Sequence, residues 1–368
     1  MKKSAIFPPE ENPYTTAFGM VPYQYIEDED IVNDVMMRLH SRYVTENCFM
    51  LTGIRGSGKT VTLTDIESKI EKEKDFIVVS LSSTDEILRS LVSRLYDSYK
   101  FIKEFINTEL NLSAFGIGIS VGTVVPSVDL ESALMKILDS IKKQGKKMLI
   151  TIDEASKSDS MISFAKTFNL LSRKEYPVYL LMTGLPENLN SLENEKDLTF
   201  LRRAHKYEMQ PLNITLMRQK YQETFKIEID DAYELALITK GYPVAYQALG
   251  QHLWESGSSV LTPEVLQKFD DTMDVKVYSS IWKSMNETEK MFLCFMADKG
   301  LTQMSDLLKE INKSAGYFSP YREKMIKNRI LESPARGVVT FALPRFSAFV
   351  KTRIKLEDRR SENNYLLV

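Results

Sequence analysis

The sequence predicts an α/β fold with a parallel sheet, followed by a helical segment and a small terminal domain. Over residues 1–212, short apolar runs rich in β-branched residues alternate with helical periodicities, which is typical of parallel strands joined by helices. Amphipathic helical patterns without strands fill residues 213–279. Residues 280–368 combine three short helical patterns with two β-like runs. These changes of pattern predict three domains with those boundaries.

The chain is expected to reach its first strand through an extended lead-in and one helix. Residues 8–24 are rich in proline and aromatic residues, so they are expected to pack on the domain without forming a helix. A helical pattern then runs from Asp28 to Val44. The apolar run Cys48–Thr52 follows it and is predicted to be a buried strand.

A glycine-rich segment, Gly53–Thr60, joins this strand to a helical pattern over Val61–Ile70. Its glycines, lysine and hydroxyl residue stand at the spacing of a phosphate-binding loop. Such a loop turns backbone N–H groups toward an anion, its lysine reaches the β- and γ-phosphates, and its hydroxyl ligates Mg²⁺. The sequence therefore predicts binding of a nucleoside triphosphate. The expected contacts are Gly53, Arg55, Gly56, Ser57, Gly58, Lys59, Thr60 and Val61, with Thr60 as a metal ligand.

Alternating strands and helices are predicted after this loop. Asp75–Leu81 is a short apolar run typical of a second buried strand, and Thr84–Glu109 has helical periodicity. Small and apolar residues alternate over 113–125, which favours an inserted β-hairpin or extended segment. A dinucleotide motif is the weaker interpretation, because no Gly-x-Gly-x-x-Gly opens a helix there. Leu130–Lys143 is again helical.

Two carboxylates, Asp153 and Glu154, end the apolar run that begins at Lys147. An acidic residue at the carboxyl end of a strand beside a phosphate loop can hold the Mg²⁺ shell, and the next carboxylate can orient or deprotonate water. In isolation, such a pair would be a solvated turn. Its position after a phosphate loop predicts Asp153 as a metal ligand and Glu154 as the residue that activates water.

Two further features lie near the last predicted strands. Val178–Pro186 reads as a buried strand, and its Thr183 could bond the γ-phosphate or the attacking water, or simply form a turn. Arg202 and Arg203 precede a last short strand at Lys206–Leu212. Either arginine could reach a phosphate bound by a neighbouring subunit, and the alternative for both is a solvated surface.

The helical segment contains a turn, Gly241-Tyr242-Pro243, that opens a helix with proline near its first position.

The terminal domain has helical patterns over Asn286–Ala297, Gln303–Ile311 and Ser319–Lys327. Two β-like runs follow over 329–342, turning at Arg336, and this order predicts a winged helix. The candidate contacts to double-stranded DNA are Tyr321, Arg322, Lys324, Lys327 and Arg336.

Composition and charge exclude several classes of protein. The chain has no run of 18 consecutive apolar residues and no apolar core typical of a signal peptide, so a cytoplasmic protein without membrane contact is expected. Cys48 and Cys294 lie far apart in apolar stretches and are expected to be buried thiols. Residues 280–368 carry 16 Lys/Arg and 10 Asp/Glu, a net charge of +6 in a chain of net charge −2. Basic character is therefore confined to the terminal domain.

Together these motifs resemble the AAA+ superfamily of P-loop ATPases, over nearly the whole chain. The resemblance is narrower to the branch of origin-recognition-type initiators, archaeal-type ATPases and STAND signalling ATPases. It implies a P-loop core, a helical lid and a winged helix. The matching segments are Gly53–Thr60 (Walker A), Met148–Glu154 (Walker B), Thr183 (sensor 1), Arg202 or Arg203 (arginine finger), Gly241–Pro243 (start of the lid helix) and Ala342–Phe346.

The sequence departs from that family at two places. Many relatives have a sensor-2 arginine at the start of the lid helix, where this chain has Tyr242 and Pro243. The resemblance implies that this turn contacts the adenine instead. The Gly-Arg-Glu box common before the first helix is replaced by Ile26–Asp30. The residues expected, from position alone, to wall the base are Phe18, Val21 and Pro22.

The expected function is that of an Mg²⁺-dependent ATPase whose nucleotide state sets the angle between core and lid, read out by DNA binding through the winged helix. The expected ligands are ATP, ADP and Mg²⁺, with self-association if an arginine acts on a neighbour. One alternative is a STAND-like signalling switch whose winged helix docks a partner protein. Another is a non-hydrolysing scaffold of a defence or mobile-element system, and a small-molecule kinase is the weakest.

Overall fold

The structure is a computed structural model that describes residues 11–83, 86–99, 102 and 130–365, with side chains in the last helix as far as 356. The segment 113–125, where an inserted hairpin was expected, lies outside the described residues. The chain divides into two compact units. The core unit contains Glu27–Gly53 and Lys59–Met209. The lid unit contains the described residues up to Ile26, Ile54–Gly58 and the described residues from Gln210 onward.

The core unit is built on a five-stranded sheet in which every pairing is parallel. The strand order is β2-β3-β4-β1-β5. Its central strands are almost continuously apolar, as expected of parallel strands covered on both faces. The strands are β1 (Cys48–Thr52), β2 (Phe76–Ser82), β3 (Lys147–Asp153), β4 (Val178–Gly184) and β5 (His205–Glu208).

Alternate residues of each strand enter two separate hydrophobic clusters, one on each face of the sheet. In β1, Met50 belongs to one cluster, and Phe49 and Leu51 to the other. In β4, Leu180 and Tyr179 divide in the same way. This alternation follows from the two-residue period of a strand. The parallel pairing of β4 with both β1 and β3 places the carboxyl ends of these three strands at one edge of the sheet.

Helices cover both faces of this sheet. Asp28 caps α1, and its carboxylate accepts the N–H of Ile31 at 3.2 Å. The helix ends at His40, four residues before the predicted end. The helices at Asp159–Arg173 and Pro186–Glu193 were not predicted from the sequence. The helices are α1 (Glu29–His40), α2 (Lys59–Ile70), α3 (Ile87–Ser98), α4 (Leu130–Lys143), α5 (Asp159–Arg173) and α6 (Pro186–Glu193), with a 3₁₀ helix at Lys196–Arg203.

The lid unit begins with the extended lead-in, whose Tyr14 is buried against Gly250. A Cβ on Gly250 would lie 2.4 Å from the Tyr14 ring, so only glycine fits there. The backbone N–H of Thr15 donates to the Gln247 side chain at 3.1 Å. Both contacts fix the lead-in to α9 (Pro243–Glu255). The other helices of this part of the unit are α7 (Ile214–Phe225), α8 (Ile229–Ile238) and α10 (Pro263–Met273).

The terminal part of the lid unit has the predicted order of three helices and a hairpin. Its two short strands pair antiparallel, with Leu331 opposite Phe341. The assignment of these elements to a winged helix remains a prediction. A π-helical turn, Asp274–Tyr278, leads into this part of the chain. The elements are α11 (Ser279–Ser284), α12 (Glu287–Lys299), α13 (Met304–Ile311), α14 (Ala315–Lys327), β6 (Leu331–Glu332), β7 (Thr340–Phe341) and α15 (Phe346–Tyr365).

The start of α14 corrects the sequence analysis, which placed it at Ser319 and Pro320. The helix begins at Ala315 and is capped by Ser314, whose hydroxyl accepts the N–H of Tyr317 at 3.3 Å. Pro320 therefore lies inside the helix. Proline is favoured in the first helical turn, which made it look like a start signal, but an upstream serine cap defines this helix.

None of the helices in the described ranges is long and apolar enough to cross a membrane. Neither Cys48 nor Cys294 forms a disulfide; Cys48 is buried as expected, whereas Cys294 is only half-buried.

Candidate nucleotide-binding site

The glycine-rich loop lies between the end of β1 at Thr52 and the start of α2 at Lys59. Its backbone is left-handed at Gly56 (φ +77°) and Gly58 (φ +90°). Residues with a Cβ rarely adopt such angles, so glycine is required at both positions. The turn delivers the chain directly into α2, whose first N–H groups have no partner within the helix. Strand, loop and helix thus stand in the order that anion binding requires.

Lys59 is the first residue of α2 and is almost fully buried. Its ammonium Nζ donates to the carbonyl oxygen of Gly53 at 2.8 Å. This bond folds the lysine side chain back along the loop from which it emerges. A buried ammonium costs free energy that a nearby anion offsets, so the position suits a phosphate.

Thr60, Asp153 and Thr183 form one hydrogen-bonded cluster at the carboxyl edge of the sheet. The Thr60 hydroxyl lies 3.0 Å from Oδ2 of Asp153 and 3.2 Å from Oδ1. The buried Thr183 hydroxyl also bonds Oδ1. β3 and β4 are neighbours with Ile152 opposite Met182, which brings Asp153 beside Thr183. The sheet thus assembles residues more than 90 positions apart in sequence.

Glu154 is attached to the same cluster through its backbone. Its N–H donates to the Thr183 hydroxyl at 3.0 Å, and the next N–H, of Ala155, donates to the Thr183 carbonyl at 2.7 Å. Glu154 has φ +53°, a left-handed conformation that costs about 1–3 kcal/mol in a residue other than glycine. Hydrogen bonds to β4 hold this strained turn. The Glu154 side chain is exposed at the edge where the loop ends.

The residues at this edge fit Mg²⁺ with a nucleotide. In the described part of the chain no three His, Cys, Asp or Glu residues group into a metal site. Thr60 and Asp153 together offer oxygen ligands of the kind that Mg²⁺ takes when phosphates and water complete its shell. The buried hydroxyls of Thr52 and Ser57, at the ends of the loop, have no hydrogen-bond partner among the described residues. A polar ligand would satisfy them.

The turn that opens α9, called here the lid turn (Gly241–Val244), lies against Gly56 of the loop. The Val244 N–H donates to the Gly56 carbonyl at 3.3 Å. A Cβ on Gly56 would lie 2.7 Å from Val244 Cγ1 and 3.0 Å from the Tyr242 hydroxyl. Pro243 is the first residue of the helix, as its sequence position predicts. The contact of Val244 with the loop was not predicted, because no sequence signal links them.

The other residues expected around the nucleotide differ in exposure. Pro22 is buried, and its carbonyl accepts the N–H of Tyr25 at 3.1 Å. Phe18 is 76% exposed and Val21 is 38% exposed. On the loop and α2, Arg55 is exposed and Val61 is half-buried. Their contact with a base stays a prediction.

Arg202 and Arg203 end the 3₁₀ helix that precedes β5, and they differ in their partners. The Arg202 guanidinium donates to the Glu193 carbonyl and to the Asn194 side chain, both at 3.2 Å. Arg203 is exposed and makes no hydrogen bond or ion pair with another described residue. Arg203 is therefore the better placed of the two to reach a separate molecule.

The candidate DNA contacts divide into two groups. Lys324 lies 2.8 Å from the carboxylate of buried Glu289, and Arg322 donates to the Ser333 hydroxyl at 2.9 Å. These two cations are engaged within the domain. Tyr321 is half-buried, and its ring packs edge-on against the ring of Phe318. Besides Lys324, the exposed candidates are Lys327, at the end of α14, and Arg336, at the tip of the hairpin.

Comparisons with known proteins show similarity in fold. A family model described as "Domain of unknown function (DUF8462)" matches residues 275–350. No curated protein matches the chain. Among solved structures, the Aeropyrum pernix ORC2 protein (ADPNP–ADP complexes) is 14% identical, with a TM-score of 0.53, over 90% of this chain and 93% of that one. The Pyrobaculum aerophilum protein Cdc6p is 14% identical, with a TM-score of 0.47, over 93% and 97%.

The Aeropyrum pernix ORC1 protein in complex with DNA is 11% identical, with a TM-score of 0.44, over 90% of this chain and 93% of that one. Identities this low show similarity in fold alone. The predicted α/β fold with a parallel sheet is confirmed, and this fold is similar to that of the Aeropyrum pernix ORC2 protein.

Proposed function

We propose that the protein is an Mg²⁺-dependent ATPase that acts as a nucleotide-controlled switch. The observation that carries this proposal is the cluster of Thr60, Asp153 and Thr183 at the carboxyl edge of the sheet. In open α/β folds, ligands bind at this edge. The fold is shared with an ORC2 protein that was solved with ADPNP and ADP, which supports a nucleotide as the ligand.

Each residue of the loop has a defined task in this proposal. The backbone N–H groups from Gly56 to Thr60 surround the phosphates, and the positive end of α2 adds to their attraction. Lys59 exchanges its bond with the Gly53 carbonyl for a phosphate oxygen. Arg55 is exposed, so it can contact the outer part of the ligand. Apart from Lys59 and Arg55, the contacts of the loop with the phosphates are made by its backbone.

Thr60 and Asp153 would hold Mg²⁺, which supplies charge neutralisation on the phosphates when it is bound. Thr183 positions the Asp153 carboxylate and the backbone of Glu154 at the same time. The Glu154 carboxylate then faces the edge, where it can orient a water molecule and accept its proton. Hydrolysis thus depends on two carboxylates whose separation is fixed by one threonine.

Double-stranded DNA is the proposed partner of the terminal part of the chain. Exposed Lys327 and Arg336 present charge at the end of α14 and the tip of the hairpin, where phosphate contacts are expected. A partner protein is the second candidate, because Arg322 and Lys324 are already engaged within the domain. That engagement reduces the charge available to a nucleic acid.

Phosphate release by the purified full chain, with Mg²⁺ and ATP, tests the ATPase proposal. Lys59→Ala is expected to abolish binding or turnover, because the phosphates lose their cation. The affinity for duplex DNA, measured at several salt concentrations, tests whether DNA is the partner. The double change Lys327→Ala with Arg336→Ala is expected to reduce the slope of log affinity against log salt by about two. An unchanged slope favours the protein-docking alternative.

A further inference from the structure

Tyr242 carries a buried hydroxyl without a partner. The side chain is 7% exposed, and its oxygen has no hydrogen-bond partner among the described residues. Leaving a hydroxyl buried and unpaired costs about 1–3 kcal/mol. Burial also raises the pKa of Tyr242, so the group stays protonated and can donate. Phenylalanine would fill the same volume without this cost, and a ligand at this position would give the hydroxyl a partner.

The hydroxyl lies at the phosphate loop. It is 3.0 Å from the position that a Cβ would take on Gly56, where the left-handed backbone allows only glycine. The next residue of the loop, Ser57, also has a buried hydroxyl without a partner among the described residues. The Val244 N–H bond to the Gly56 carbonyl holds the lid turn against the loop. The hydroxyls of Tyr242 and Ser57, both without a partner among the described residues, therefore lie at the same phosphate loop.

We propose that the Tyr242 hydroxyl donates a hydrogen bond to a phosphate oxygen of the nucleotide held by the loop. This inference rests on the proposed function, since it names a further contact in the same site. It assigns Tyr242 to the phosphates, and not to the adenine. The position of Tyr242 immediately before the positive end of α9 favours an anion as the acceptor.

The experiment compares Tyr242→Phe with a matched control, Tyr179→Phe. Tyr179 lies in β4, is buried, and also has a hydroxyl without a partner among the described residues. Titration calorimetry with Mg²⁺ measures the affinity of each variant for ADP and for inorganic pyrophosphate. We expect Tyr242→Phe to lower the affinity for both ligands about tenfold, which is the effect of losing one hydrogen bond to a charged group. Tyr179→Phe is expected to bind both as the unaltered protein does.

Thermal unfolding without ligand provides an independent measurement. Removing an unpaired hydroxyl leaves the unfolding midpoint of Tyr242→Phe unchanged or raises it, which a lost structural bond would not do. Unchanged affinity for both ligands would overturn the inference. A loss of affinity for ADP without a loss of affinity for pyrophosphate would also overturn it, since that result places Tyr242 at the base. If the unaltered protein binds neither ligand, the proposed function itself fails along with the inference.

Discussion

Thr183→Val is the substitution that examines the candidate site most directly. Valine has nearly the shape of threonine but cannot hydrogen-bond. In the folded protein, the Thr183 hydroxyl bonds Oδ1 of Asp153 and accepts the N–H of Glu154 at 3.0 Å. Both bonds disappear, whereas the packing of β4 remains. The variant therefore isolates the one group that joins the two carboxylate residues.

The magnitude follows from the two lost bonds. A hydrogen bond to a charged group contributes about 1.5–3 kcal/mol, and one to a backbone N–H about 1 kcal/mol. Thr183 is fully buried, so water cannot replace its hydroxyl at the Glu154 N–H. Asp153 keeps its bonds to Thr60 and is half-buried, which offsets part of the loss. We expect the free energy of unfolding to fall by about 2–3 kcal/mol.

Turnover is expected to fall more steeply than ATP binding. The loop and Lys59 are untouched, so the Kd for ATP should change by less than about threefold, whereas misplaced carboxylates lower kcat by about tenfold to a hundredfold. Urea denaturation, ATP titration and phosphate release measure the three quantities. Thr167→Val is the matched control, because this buried threonine bonds the Glu131 carboxylate at 3.2 Å, on helices remote from the loop.

We expect the control Thr167→Val to lose stability but to keep the kcat of the unaltered protein. If Thr183→Val retains both the stability and the kcat of the unaltered protein, Thr183 does not position Asp153 and Glu154. If Thr167→Val lowers kcat as much as Thr183→Val does, the loss reflects general destabilisation of the core unit. Either result refutes the argument from the hydrogen-bonded cluster.

Three further predictions concern the same edge of the sheet. Glu154→Gln should bind ATP normally but release little phosphate. Glu154→Gly should raise the free energy of unfolding, measured by denaturation, by about 1 kcal/mol, because glycine relieves the left-handed strain. Gly56→Ala should lower nucleotide affinity and the free energy of unfolding, the latter by at least about 2 kcal/mol, because a Cβ there would clash with the lid turn. The control is Gly145→Ala, where φ is +68° and no atom lies within 4 Å of an added Cβ, and it should lose only about 1 kcal/mol. Arg203→Ala should abolish any rise of specific ATPase rate with protein concentration, while Arg202→Ala should preserve it; equal effects would contradict this assignment.

The strands and the phosphate loop were predictable from sequence because their signals are local. An apolar run such as Cys48–Thr52 has one compatible structure when a glycine-rich turn follows it. The strand Cys48–Thr52 and the helix Leu130–Lys143 have the predicted bounds, and the strand from Lys147 ends at Asp153, one residue before the second predicted carboxylate. Strong periodicity over short segments and glycines at fixed spacing determined these elements.

Features that depend on neighbours in the fold could not be predicted in the same way. The bond of Thr183 to Asp153 requires β3 and β4 to be adjacent, which no local pattern indicates. The contact of Val244 with Gly56 joins residues 188 positions apart. At α14, Pro320 gave a misleading local start signal. In each case tertiary neighbours decided the outcome.

The charge of the terminal domain shows why a net count is a weak guide to a partner. The +6 excess of residues 280–368 includes Lys324, which neutralises buried Glu289, and Arg345, which pairs with Asp270 at 2.6 Å. Cations engaged in this way stabilise the domain and cannot release counterions from DNA without breaking an internal pair. The charge available to a partner lies at exposed positions such as Lys327 and Arg336. Any DNA binding by residues 280–368 must therefore depend on the cations that stay exposed, such as Lys327 and Arg336, and not on the net charge.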